Sequence, residues 1–438
     1  MRKSRPATKL LSPPRFPLSR LAAALLAAIL ILSPSSDSCA YSVLTHEQVV
    51  DFAWKTHITK ILLQRYPSAT PEQLKEAHAY AYGGSLIQDM GYYPSGNKFF
   101  SDLVHYVRSG DFVAALIRDS QNVNELAFAL GALAHYASDT TGHPAVNEIV
   151  SREFPKLHAK YGRDVTYEED PKAHIRTEFG LDVVEVAQQH YASTAFHDFI
   201  GFQVAQPLLD RAFLETYGIP LNVVLPNEEQ SIESYRHALS VWIPRLTQVA
   251  LITKKKELEA VPNFEPKKFR YVLKRTEYEK EWGKNYAKPS FGVRFLAFVV
   301  KILPKVGPLA TLDIKTPDAQ SEKLFIKSVD QTVTVYQGLL DEVGDPADPL
   351  ADYNLDTGQP TTAAEYELAD KAYARLLTLL AKDNYSQITP ALRTNLLTFY
   401  SDLNAPIATK KHKNEWNEVL RDLDALKKVS AQPAQASP

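Results

Sequence analysis

The sequence predicts an all-α protein, and three features predict it. Apolar residues recur at helical spacing, as in NELAFALGALAHYASD, where Leu126, Ala129, Leu130, Leu133 and Ala134 form one stripe. Helix-start signals stand ahead of such segments. Alternating Val/Ile/Thr runs are scarce and only 17 glycines occur in 438 residues, which argues against an all-β chain. With 45% hydrophobic residues, the length supplies core for one large domain or two ordinary ones.

The first forty residues stand apart from this pattern. MRKSRPATKLLSPPRFPLSR carries six basic residues and no acid, and a twelve-residue apolar run follows from Leu21 to Leu32. Ser38 and Ala40 in SPSSDSCA occupy the small-residue positions that a signal peptidase reads. Spanning a bilayer takes roughly 20 apolar residues, so the run suits export rather than anchoring. Residues 1–40 are expected to be a signal peptide cut between Ala40 and Tyr41, and the protein to be secreted or periplasmic. A lipoprotein cut before Cys39 is disfavoured by Ser36 and Asp37. Cleavage would remove the only cysteine and leave 43 basic against 50 acidic residues, a net charge of −7 with histidines neutral. Such a surface disfavours non-specific nucleic-acid binding, which needs clustered Lys and Arg. No stable nucleic-acid partner is expected.

Helices then follow in order. THEQ (Thr45 to Gln48) has the form of a capping box, and TPEQ (Thr70 to Gln73) repeats it with Pro71 at the first helical position. The second helix should stop at Gly83-Gly84. The apolar stripe defines the next, which Gly142 and Pro144 are expected to break. Further helices are predicted from Pro171 to about Tyr191, Ser193 to Tyr217 and Ser231 to Thr253. These make a domain of residues 41–253. Residues 254–430 read as a helical C-terminal extension, and 431–438 as a disordered tail. The extension opens with eleven basic and six acidic residues between Lys254 and Lys288. RFLAFVVKIL (Arg294 to Leu303) suits a buried helix better than a peripheral membrane-surface contact. GDPADPLADYNLDTGQP (Gly344 to Pro360) resembles a linker. Within it DYNLDTG echoes a calcium loop, but its glycine comes one place late and no glutamate closes it, so it reads as a turn.

The chemistry concentrates in HYASDTTGHP. His135 and Asp139 are four apart and share one helix face, and His143 follows after the expected break. HIRTE supplies a second such pair, His174 and Glu178. Imidazole nitrogens and carboxylate oxygens are zinc ligands, and pairs on one helix bring two of them with little ordering cost. The plain alternative is capping and surface polarity.

HYASDTTGH followed by HIRTE resembles the zinc-dependent phospholipase C superfamily, which also holds single-strand-specific nucleases and the glycosylphosphatidylinositol-specific phospholipase D. The eight-residue step from His135 to His143 is closest to the last of these. The resemblance covers roughly residues 41–200. It implies a multi-helix bundle around a trinuclear zinc site. Asp89, His105, His135 and Asp139 would hold one zinc. The Tyr41 terminus and His46 would hold a second, sharing Asp139. His143, His174 and Glu178 would hold the third. It also implies attack on a phosphodiester by a metal-bound hydroxide, with Asp89 orienting the water or taking its proton. A phospholipid is the expected substrate. The alternatives are a single-strand-specific nuclease of the same fold and an inactive, zinc-stabilised binding module.

His57, His78, His158, His190, His237 and His412 are assigned no role, and His197 and Asp198 are read as packing. The tyrosines flanking the candidate ligands are read the same way. No phosphate-cradling glycine loop and no serine nucleophile motif appears, so nucleotide-binding and serine-hydrolase readings have no support.

Overall fold

The computed structural model describes residues 42–188, 190–191, 197, 200–258, 317–343 and 350–429. Residues 1–40, for which a signal peptide is expected, Tyr41, Asp198, Arg294 to Leu303 and residues 431–438 lie outside the described residues. Every described residue belongs to one compact unit, Ser35–Pro438.

The element that organises this unit is a 31-residue helix, α5. Ahead of it run α1 (Val43–Ala53), α2 (Pro71–Gly84), α3 (Lys98–Tyr106) and α4 (Ser109–Arg118), and α5 itself spans Val123–Glu153. After it come α6 (Pro171–Ala187), α7 (Gln206–Tyr217), α8 (Glu228–His237) and α9 (Ile243–Thr253). A last group comprises α10 (Ala319–Asp341), α11 (Glu367–Lys382), α12 (Pro390–Phe399) and α13 (Lys413–Lys428). The two strands among the described residues form a small antiparallel hairpin, Tyr353–Asn354 with Gln359–Pro360, in which Tyr353 faces Pro360. The all-α class is therefore as expected.

Helix α5 is buried around much of its circumference because α2 and α10 pack on it, with α1, α4 and α6 adding further contacts. A helix covered on all sides has no polar face to present, which fits its run of Ala, Leu and Gly. The small residues also let α2 come close. Gly84 of α2 lies against the Phe128 carbonyl, and Gly131 of α5 against the Ala81 carbonyl. On the α10 side, the Tyr336 hydroxyl donates to the Leu130 carbonyl at 2.8 Å. One apolar core runs through residues on both sides of position 254.

Several local readings hold. The Thr70 side chain accepts from Gln73 N and Gln73 answers at Thr70 N, a complete capping box, and α2 ends at Gly84. Helix α6 starts at Pro171 as expected, and Asp170 caps it through Ala173 N. Three readings do not hold. First, α1 starts at Val43, not after Thr45. The Thr45 hydroxyl donates to the buried Asp182 carboxylate at 2.5 Å, and the other oxygen of Asp182 takes Leu44 N at 2.8 Å. A carboxylate reaching in from α6 thus replaces the local cap. Second, α5 is not broken at Gly142 and Pro144 but runs through both. The Thr140 and Thr141 hydroxyls bond back to Tyr136 and Ala137 carbonyls at 2.7 Å each. The Thr140 carbonyl, which Pro144 leaves without its helical donor, lies against the backbone of Gly358. Third, residues 201–205 are not helical, so α7 begins at Gln206 rather than near Ser193.

Candidate metal centre

Because α5 is continuous, His135, Asp139 and His143 sit one above another along a single face. Helix α1 brings His46 to that face, and the 3₁₀ segment that follows α2 (Ile87–Tyr92) brings Asp89. His105 comes from the last turn of α3, and His174 and Glu178 from one face of α6. Three groups result, each with donor atoms within 4.8 Å of one another. They are His46, Asp89 and His135; His105, His135 and Asp139; and His143, His174 and Glu178. Each of these eight residues is at most 2% exposed. Tyr41, the ninth expected residue, lies outside the described residues. The third group is the set expected for the third zinc. The other two share His135, with Asp89 close to both His46 and His105.

The separations identify what the cluster is built for. Asp139 stands 3.0 Å from His135, 3.5 Å from His105, 3.6 Å from His46 and 3.7 Å from His143. Asp89 is 3.4 Å from His105. All but the first exceed the N–H···O range of about 2.7–3.2 Å. They match the edge of a tetrahedron with zinc at its centre, about 3.3 Å for bonds of about 2.0–2.1 Å. The residues fit zinc.

Tautomers point the same way. A carbonyl can only accept, so the ring nitrogen facing one carries a proton, and in the neutral ring that binds metal the other presents its lone pair. His105 Nδ1 donates to the Ser101 carbonyl at 2.8 Å, and His135 Nδ1 to that of Ser85 at 2.9 Å. In their neutral form both rings therefore aim a bare Nε2 at Asp139. His174 is reversed: Nε2 donates to the Val165 carbonyl at 2.6 Å, leaving Nδ1 toward Glu178 at 3.2 Å. Such outer partners orient metal-ligating histidines.

The metal-free electrostatics are correspondingly skewed. Burial would lower His105, but the Asp139 and Asp89 carboxylates outweigh it and raise it to about 10. Burial, reinforced by His135, takes His46 down to about 3. Burial would raise Asp139, yet the surrounding imidazoles, His135 foremost, hold it well below the usual carboxylate range. Burial pushes Glu178 well up and His174 down. A histidine raised in the folded state stabilises the fold fully below its unfolded pKa near 6.5, and that contribution is lost as pH rises through the folded value. Chelator-treated protein is therefore expected to lose stability between about pH 7 and 10, and zinc-loaded protein to lose far less. Zinc binding at pH 8 should also release the His105 proton, which calorimetry in buffers of different ionisation enthalpy would detect. Equal pH profiles with and without chelator would contradict this.

A second buried cluster braces α1. His78 Nε2 and the Tyr82 hydroxyl meet one Asp51 oxygen at 2.9 and 2.7 Å, and His197 pairs with Glu47 and lies 3.6 Å from the other Asp51 oxygen. Trp54 stacks on His78 with centroids 3.9 Å apart. Glu47 and Asp51 flank His46 on α1, so these contacts fix that helix against α2. His78, to which the sequence assigned no role, and His197, read as packing, both take part in this buried cluster.

One residue at the centre escaped the sequence reading. Asp356, in the turn of the hairpin, is fully buried with Oδ1 3.4 Å from His143 Nε2. The oxygen-rich segment DYNLDTG was the available signal. It is a turn, but one that points a carboxylate inward.

An all-α bundle enclosing three adjoining His/Asp/Glu groups has the donor sets of a multinuclear metal centre. Residues 45–225 match the family model described as zinc dependent phospholipase C. No curated protein and no solved structure matches the chain. Among the described residues no helix is long and apolar enough to cross a membrane.

Proposed function

We propose that this protein is an exported phospholipase C-like enzyme that hydrolyses the phosphodiester of a phospholipid with three zinc ions. The observation that carries the reading is the set of imidazole–carboxylate separations at tetrahedral-edge length along one face of α5. Asp89, His105, His135 and Asp139 would hold one ion. His46 and the Tyr41 terminus, sharing Asp139, would hold the second, and His143, His174 and Glu178 the third. Bound zinc brings the pKa of a coordinated water to about 7 and neutralises phosphate charge.

The chain's own residues do the rest. Asp89, beside His105 at the edge of the centre, takes the proton from the attacking water. The water oxygen adds to phosphorus as the bond to the diacylglycerol oxygen breaks; that oxygen takes up a proton from solvent, and the products are a phosphorylated head group and diacylglycerol. The Ser101, Ser85 and Val165 carbonyls keep each imidazole in the tautomer that the centre needs. A free α-amino group at Tyr41 exists only after the leader is removed, which ties activity to export.

The purified protein is expected to release a phosphorylated head group from phosphatidylcholine vesicles and to leave single-stranded DNA and RNA intact. Cleavage of the nucleic acids alone would make it a nuclease, and zinc binding with neither activity would make it a binding module. Asp89→Asn is expected to lower turnover by about a hundred- to ten-thousandfold. Undiminished turnover would remove Asp89 from the reaction.

A further inference from the structure

The hairpin that carries Asp356 is held to the centre by every element around it. Leu355 N donates to the His105 carbonyl at 3.1 Å, and the Tyr136 hydroxyl to the Ala351 carbonyl at 2.7 Å. The Ser109 hydroxyl donates to the Tyr353 carbonyl at 2.6 Å, and Gly110 N and Asp111 N both reach Asp352 Oδ1 at 3.1 Å. Asn147, one turn beyond His143 on α5, donates to the Asp356 carbonyl at 3.1 Å. Gly358 closes the turn with φ +67°, where a side chain would be strained and its Cβ would stand 2.3 Å from the Thr140 carbonyl.

The Asp356 side chain is held as firmly. The Tyr106 and Tyr366 hydroxyls donate to Oδ2 at 2.7 and 2.5 Å. These two bonds fix the plane of the carboxylate and leave Oδ1 facing His143. Oδ1 is buried and accepts no hydrogen bond. An anionic oxygen left so is costly unless a cation faces it. Its 3.4 Å from His143 Nε2 is too long for an N–H···O bond and has the length of a ligand–ligand edge.

We propose that Asp356 supplies an anionic oxygen to the cation held at His143, His174 and Glu178, so that this position is completed by a hairpin outside the family-matched segment. This rests on the zinc reading above. It adds a fourth carboxylate to Asp89, Asp139 and Glu178.

The test is zinc per chain after dialysis against a weak chelator, together with the visible spectrum of cobalt-loaded protein. The native protein should keep three ions. Asp356→Asn, nearly isosteric, should keep two, with changed cobalt bands. Asp352→Asn loosens the same hairpin without touching the centre and should keep three. If native protein holds no zinc, the zinc reading itself fails. If native protein and Asp356→Asn both keep three with identical cobalt spectra, only the role of Asp356 falls. It falls too if Asp352→Asn loses as much metal as Asp356→Asn, since docking alone would then explain the loss. Should Asp356→Asn not fold, Tyr366→Phe takes its place. Removing that outer donor is expected to weaken retention of the third ion about tenfold, and unchanged retention overturns the proposal.

Discussion

Asp139→Asn is expected to strip the centre of most of its zinc and to lower phosphodiester hydrolysis about a thousandfold or more. Four imidazoles face this one carboxylate, those of His46, His105, His135 and His143. They come from α1, α3 and two turns of α5, so Asp139 is the point where separate elements meet. An amide keeps the shape and removes the charge. In the metal-free state, the raised pKa of His105 depends on the Asp139 and Asp89 carboxylates. In the loaded state the amide is a poor ligand for a dication, and two positions share the loss if Asp139 is bridging. Zinc content by atomic emission and head-group release from vesicles measure the two effects independently. Full zinc content with normal turnover would show that Asp139 is shared by nothing. A change in zinc content without unfolding, judged by circular dichroism, separates a ligand role from a structural one.

How much of this was legible in the sequence follows the distance over which each residue acts. His135 with Asp139, and His174 with Glu178, could be paired from spacing alone, because four residues on a helix place side chains together whatever the rest of the chain does. His46, Asp89 and His105 were reached only through the family resemblance. Nothing local brings them to α5, and their convergence depends on how α1, α2 and α3 cross it. Asp356 was out of reach of both. It lies beyond the matched segment, and its orientation is set by tyrosines on α3 and at the start of α11. The misread end of α5 has the same origin. A helix-interior proline costs about 3 kcal/mol, which sequence rules treat as a stop. Here the tertiary packing that buries α5 on several sides outweighs that cost. The THEQ motif failed likewise, since a distant carboxylate, Asp182, took the place of the local cap.

The geometry of the centre depends on how closely α2 approaches α5, and Gly131→Ala is expected to be among the most destabilising substitutions in the protein. A Cβ at Gly131 would stand 2.0 Å from the Ala81 carbonyl oxygen and 2.9 Å from its carbon. Both are backbone atoms inside α2, so no side chain can swing away and the helices themselves must part. Overpacking a core usually costs about 1–3 kcal/mol. Here the obstacle is rigid and lies in one of the most extensive helix contacts of the fold, so about 3 kcal/mol or more is expected. Gly84→Ala meets the Phe128 carbonyl at 1.9 Å and should behave alike. The separation would also carry Asp89, just beyond α2, away from His135 and Asp139 on α5. A displacement of about 1 Å can cost about a hundredfold in rate, so activity should fall even where the variant still folds. Gly338→Ala on α10 is the contrast, because nothing lies within 4 Å of its Cβ position. Replacing a helical glycine there should leave stability unchanged or raise it by about 0.4–1 kcal/mol. Urea unfolding of the three variants with chelator present isolates the packing effect from metal binding. If Gly131→Ala unfolded at the same urea concentration as the parent, the close approach of α2 and α5 could not be what holds Asp89 to the centre.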